Sequence, residues 1–368
     1  MKTKSYLFAA ASATLMLASC TQNEVVEMPA TRAIGFGTYV GNTSRAAATD
    51  TDLDFLKGTG KGFYVFGSYM DGTTEINVFD GKTSGSHVTY TGTDGNPAWG
   101  YSPINYWSVG KKYQFAAYGP ATALENGTAT FNYTANALTF TDFTADGSLD
   151  FVVAEGKNDG YTLANANDPT IKVGLKFFHA LSKVRFTLKN GWRNDVTVRI
   201  TNVSVKNVNT KGNLTTNGHL NTADNAWQAL SDGWSSVDTP AEYANWKNDE
   251  FKATKYLEQQ VYEYFLIPQS IGTDMQLVLT CQVNTGDGTG PDLGNGAGNP
   301  KEVTVTLPSD VVAAWEPGKA YNYTLTIDGE LFGLKPIQFD AVEVVDWKEP
   351  STDENNPDNP AQEDNLTE

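Results

Sequence analysis

Cysteine is nearly missing from this chain, which carries only Cys20 and Cys281 in 368 residues. Histidine is almost as scarce, at three residues, and His87, His179 and His219 stand far apart. None belongs to an HExxH motif or to a His/Cys cluster with zinc spacing, so no metal site is expected. His179, in "FFHALSKVRF", reads as a structural histidine at a strand end. No GxSxG elbow is present. "GTGKG" (58–62) lacks the spacing and the Ser/Thr of a P-loop and reads as a turn. "DTDLDF" (50–55) begins like a calcium loop but has Phe55 at the sixth position and Lys61 at the twelfth, where Gly and Glu are needed. Carboxylate pairs are too common in so acidic a chain to mark a glycosidase. No enzyme chemistry and no cofactor is therefore expected. Basic residues are also in deficit, 26 against 43 acidic, for a net charge of −17. With no basic patch to neutralise phosphates, nucleic acid is not an expected partner.

What is present begins with an export segment. Lys2 and Lys4 precede the apolar stretch "YLFAAASATLMLA", which is too short to span a bilayer stably. The stretch ends in "LASC", Leu17 to Cys20, which resembles the lipobox of bacterial lipoproteins. That resemblance implies a signal peptide over 1–20 and a diacylated Cys20 as the new N-terminus, giving the two acyl chains that stable anchoring requires. With Cys20 lipidated no internal disulfide is possible. Cys281, inside "MQLVLTCQV", is expected to be a buried, inert thiol.

Hydrophobic residues make up 40% and charged residues 19% of the chain, enough apolar material for a substantial core. Strand-like runs include "KGFYVFGSYM" (61–70), "KYQFAAYGP" (112–120), "VTVRITNVSVKNV" (196–208) and "AYNYTLTIDG" (320–329), and many such runs alternate apolar and polar residues. Period-two alternation between Gly-, Asn- and Asp-rich turns predicts antiparallel strands in β-sandwiches. The length suits two domains, with a boundary near Gly191 where "WRNDVTVRI" opens a new run. The expected plan is a tether with a first strand over 21–45, an N-terminal sandwich over 46–190 and a C-terminal sandwich over 191–350. The acidic segment 351–368 is expected to be disordered, and "NTGDGTGPDLGNGAGNP" (284–300) to be a long hairpin loop.

Several segments, in order, are similar to the fimbrillin family of Bacteroidales, the subunits of type V pili. They are "LASC", "IGFGTYV", "WGYSPINYWSVGKKYQFAAYGP" (99–120), "FHALSKVRFTLKN" (178–190), "YFLIPQ" (264–269), "WEPGKAYNYTLTI" (315–327) and "VVDW" (344–347). The resemblance implies an all-β fold of two tandem β-sandwiches, transthyretin-like and of Greek-key type. It also implies an outer-membrane lipoprotein precursor, cleavage by an arginine-specific protease, and a mature form in the surface fimbrium, supporting adhesion. Its implied partners are other pilus subunits, joined when a C-terminal strand of one fills a groove opened in the next. Such exchange is β-strand addition to a sheet edge.

The local residues accommodate that scheme. In the first strand Ile34, Phe36 and Val40 share one face, and their burial contributes roughly 5–8 kcal/mol. Arg45, in the small and polar stretch "GNTSRAAATD", is the expected cut, because cutting at the alternative, Arg32, frees the lipid but keeps the strand. Two readings of "IQFDAVEVVDW" stay open: a donor strand carrying Ile337, Phe339, Val342 and Val344, or the last strand of the C-terminal sandwich. Ile337 and Phe339 are out of phase with Val342 and Val344, so a bulge or bend is expected near Asp340-Ala341. A second function remains open beside the pilus: a lipid-anchored glycan-binding protein stacking sugars on Trp99, Tyr101, Tyr106 and Trp107. The competing expectation is that those rings fill the core.

Overall fold

The computed structural model describes residues 32–40, 54–58, 61–81, 83–92, 98–124, 127–156, 159–165, 171–192, 196–216, 234–236, 241–243, 251–290, 301–328 and 339–347. The signal segment, Cys20, Arg45, His219, Ile337 and the acidic tail lie outside the described residues.

A nine-stranded sheet forms the first half, its strands ordered by hydrogen bonding and not by sequence. From one edge run Gly35–Val40, Lys172–His179, Val152–Glu155, Lys112–Gly119, Phe63–Asp71, Ser86–Tyr90 and Trp99–Gly100. Lys112–Gly119 sits in the middle and is buried on both faces from Tyr113 onward, which is why its sequence is apolar almost throughout. Tyr113, Phe115 and Ala117 point into one core with Phe63, Val65 and Trp107. Ala116 and Tyr118 point into a second core with Phe66, Phe140 and Phe151. Gly67 interrupts the Phe63–Asp71 strand because the Phe115 ring lies over it: a β-carbon there would stand 2.5 Å from that ring.

The second core is closed by a four-stranded sheet in which Ala137–Thr144 pairs with Thr128–Asn132 on one side and Lys211–Thr215 on the other. Its Phe140 ring stands edge-on to Tyr118 at 5.4 Å and to Phe151 at 5.1 Å.

The C-terminal half is a second sandwich. One sheet runs Gln259–Leu266, Ser182–Asn190, Lys319–Ile327 and Ala341–Asp346. The facing sheet is built on Val196–Val208 and Gln276–Thr285, with Lys301–Thr306 at its edge. Val184, Phe186, Leu188, Tyr264, Tyr323 and Leu325 meet Val203, Val205, Leu277, Leu279 and Val303 between them. Tyr264, on one sheet, donates its hydroxyl to the Val203 carbonyl on the other at 3.1 Å. Cys281 is fully buried in this core as a free thiol.

Strand pairing divides the chain earlier than the expected boundary near Gly191. Lys172–His179 belongs to the nine-stranded sheet, whereas Ser182–Asn190 pairs only with C-terminal strands. Only Ala180 and Leu181 separate them, and Gly191 merely extends the second strand by donating its N–H to the Ile327 carbonyl. The alternating pattern crosses this change of sheet without a break, so periodicity alone carries no sign of it. The halves also interlock, since Lys211–Thr215 pairs with Ala137–Thr144 from the other side of the expected boundary.

Candidate functional site

The two chain ends supply the edge strands on which the expected chemistry of assembly depends. The first, Gly35–Val40, lies parallel to Lys172–Phe177 at the edge of the nine-stranded sheet. Its entry is tied on the opposite side as well. The Ile34 N–H donates to the Asn105 carbonyl and the Trp107 N–H to the Arg32 carbonyl, both at 2.9 Å. The Tyr101 hydroxyl donates to the Ile34 carbonyl at 2.9 Å, and burial raises the pKa of that phenol. Ile34 and Phe36 are buried, and the Phe36 ring contacts the rings of Phe63, Phe79, Tyr101 and Phe115. Val40 pairs through its backbone with Phe177, and its side chain lies outside the described residues. Removing this strand would strip the wall from an aromatic core.

Arg32 is held in place at the start of this strand. It is half-buried, and its guanidinium donates to the Trp107 carbonyl at 2.9 Å. A protease cleft takes an extended, accessible backbone, so cutting at Arg32 requires these bonds to open first.

The last strand, Ala341–Asp346, is antiparallel to Lys319–Thr324 at the edge of the C-terminal sheet. It is held far less deeply: Ala341, Glu343 and Val344 are exposed, Val344 by 47%. Phe339 and Val342 both pack against the core although three residues apart, so the strand changes phase between them. Two bonds stand at that change: the Asp340 N–H donates to the Thr324 carbonyl, and the Thr326 hydroxyl donates to the Asp340 carboxylate. Phe339 itself is half-buried, 5.2 Å from the Tyr323 ring and 6.2 Å from Phe186.

Trp347 pins the end of this strand at the junction of the two halves. Its ring stacks on His179 at 3.8 Å and on Phe265 at 5.3 Å, with the Lys183 ammonium 4.5 Å above it. His179 in turn bonds the Asp150 carboxylate through Nδ1 at 2.8 Å. In the sequence the one local signal of this role is an aromatic residue ending the alternating run "VVDW".

The aromatic cluster Trp99 to Trp107 is tied into the fold to differing depths. Trp107 is fully buried against Tyr113, Phe115 and Tyr161. The Trp99 ring is tilted against Phe63 at 5.0 Å, the Tyr101 hydroxyl bonds the first strand, and the Tyr106 backbone bridges to Ala33. Trp99, Tyr101 and Tyr106 are half-buried, so only the Trp107 ring is wholly withdrawn from the surface. Among the described residues no group of His, Cys, Asp and Glu is arranged to hold a metal ion.

Comparison with known proteins places these features in company. The model of a family described as fimbrillin-like matches residues 44–347. The chain is 35% identical over 128 residues to the fimbrium subunit Fim1C of Phocaeicola vulgatus, a match covering 33% of this chain and 31% of that protein. The chain thus spans about a third of the length of that curated relative. A crystal structure of a fimbrial protein from Bacteroides vulgatus superposes with a TM-score of 0.52 at 16% identity, covering 86% of this chain and all of that one. At that identity the likeness is one of fold.

Proposed function

Because the chain belongs to the fimbrillin-like family, we propose that it is a structural subunit of a surface fimbrium, polymerising by strand exchange and supporting adhesion. Export leaves the precursor anchored in the outer membrane through a lipidated Cys20. An arginine-specific protease then cuts after Arg45, which releases the lipid and the first strand together. A strand from the C-terminal region of the next subunit fills the groove. No catalytic step is assigned to the subunit itself.

The observation that carries this reading is the position of Gly35–Val40: an edge strand at the chain start that nonetheless buries Ile34 and Phe36 in an aromatic core. An edge strand can leave without unthreading the sheet, and its buried side chains leave a groove that demands a replacement. The bonds that hold Arg32 favour Arg45 as the cut. The exposure of Asp340, Ala341, Glu343 and Val344 suits a segment whose first part leaves its own sheet while Trp347 stays seated.

Arg45→Ala tests the proposal. The variant should be exported and folded, remain cell-associated, and show none of the denaturant-resistant oligomer ladder of the parent on gels. An undiminished ladder from Arg45→Ala would refute it.

A further inference from the structure

The spacing Ile-x-Phe occurs at both ends of the fold, as Ile34-Gly35-Phe36 in the first strand and as Ile337-Gln338-Phe339 ahead of the last. We propose that Ile337 and Phe339 of a second copy of this chain take the places of Ile34 and Phe36, in the same direction and register. Gln338 then stands opposite Lys172, and Asp340 opposite Gly174. The assignment rests on the strand-exchange reading above and specifies how that exchange is seated.

Three features of the groove select this register. Its two deep places differ. Phe36 occupies a cage of Phe63, Phe79, Tyr101 and Phe115, whereas Ile34 sits where the Tyr101 hydroxyl and Asn105 carbonyl bond its backbone. An isoleucine followed two residues later by a phenylalanine fits both places only when the incoming strand runs as the departing one did. The face that alternates with these places is open, because a β-carbon at Gly35 or at Gly37 meets nothing within 4 Å. Gln338 and Asp340 therefore enter without a clash where the first strand has only hydrogens.

Charge points the same way. Gly35 pairs with Lys172, Gly37 with Gly174 and Tyr39 with Lys176, so this register sets the Asp340 carboxylate diagonally between two lysines. Burial lowers the pKa of Lys176, and a carboxylate brought beside it favours the charged ammonium again. The next residue, Ala341, takes the place of Thr38 with a smaller side chain.

The exchange has a driving force on the donor side. In its own chain Phe339 is half-buried and contacts two rings; in the groove it gains four and near-complete burial. Apolar area withdrawn from water in this way favours the transfer without an external energy source.

Disulfide trapping tests the register. Full chains carrying Lys172→Cys and Gln338→Cys are mixed, cut with an arginine-specific protease, allowed to assemble and oxidised. Lys172 is exposed, and after cleavage the remaining native thiol, Cys281, is fully buried. A disulfide needs Cα atoms roughly 4.4–6.8 Å apart, so a two-residue slip abolishes the product. The expected result is a disulfide-linked dimer at least about tenfold more abundant than from Lys172→Cys mixed with Asp340→Cys. Equal yields, or dominance of the Asp340→Cys mixture, overturn the register while an intact ladder from the unsubstituted chain keeps strand exchange standing. Absence of any ladder from the unsubstituted cut chain overturns both.

Discussion

Truncating Phe36 to alanine in the uncut chain perturbs the first strand where it is held most firmly. The ring is 5% exposed and meets four others at centroid distances between 5.5 and 6.5 Å. Removing a buried phenylalanine costs about 3–5 kcal/mol. Docking of Ile34 and Phe36 together contributes roughly 3–6 kcal/mol, at about 1.5–3 for each side chain. The substitution therefore removes most of the side-chain burial that holds the strand, and an edge strand detaches before its sheet unfolds. At about 1.4 kcal/mol per tenfold change, the strand-out population rises by roughly two to three orders of magnitude. Hydrogen exchange read by mass spectrometry checks this directly. Amides in Lys172–Phe177 that face the first strand should lose protection by that factor, while those of Gln276–Thr285 stay unchanged. In chain already cut after Arg45 the substitution should have no effect. Loss of protection spread evenly over both halves, or a change below about tenfold at Lys172–Phe177, would refute the reasoning.

Trp107→Ala should unfold the first half, not merely weaken sugar binding, because the ring is fully buried against Tyr113, Phe115 and Tyr161. A urea melt should show a loss of about 3–5 kcal/mol, and a fully stable variant with impaired glycan binding would restore the stacking-platform reading. Alkaline pH should destabilise the fold. Burial pushes the Tyr118, Tyr264 and Tyr323 phenols well above their usual range and Tyr321 up to about 12. Unfolded tyrosines ionise near pH 10, so above that value the unfolded chain holds fewer protons and stability falls as pH rises. The urea midpoint should therefore stay level up to roughly pH 9 and decline beyond about pH 10; no decline by about pH 11 would contradict this.

Much of the strand content was legible because alternation reports a half-buried surface wherever it occurs. "KGFYVFGSYM" became Phe63–Asp71 and "AYNYTLTIDG" became Lys319–Ile327. Partner choice was not legible. "IKVGLKFFHALSKVRFTLKN" is one continuous pattern, yet it feeds two sheets that part at Ala180-Leu181. Nothing local announces that Gly35–Val40 pairs in parallel with a strand more than a hundred residues away, since pairing depends on the shape of the whole sheet. The aromatic run Trp99 to Trp107 was ambiguous for a related reason: exposed and buried tryptophans look the same in sequence, and only the position of Tyr113, Phe115 and Tyr161 decides between them. Trp347 escaped assignment because its stack with His179 joins residues brought together only by docking of the two halves.

The identity of the first residue in subunits sheared from the cell surface tests strand removal most directly. Mass spectrometry of the N-terminal peptide should find Ala46, with Ile34 and Phe36 gone from the fibre. A start at Ala33, or a lipidated Cys20 in assembled subunits, would show that the first strand stays and that the groove is never opened.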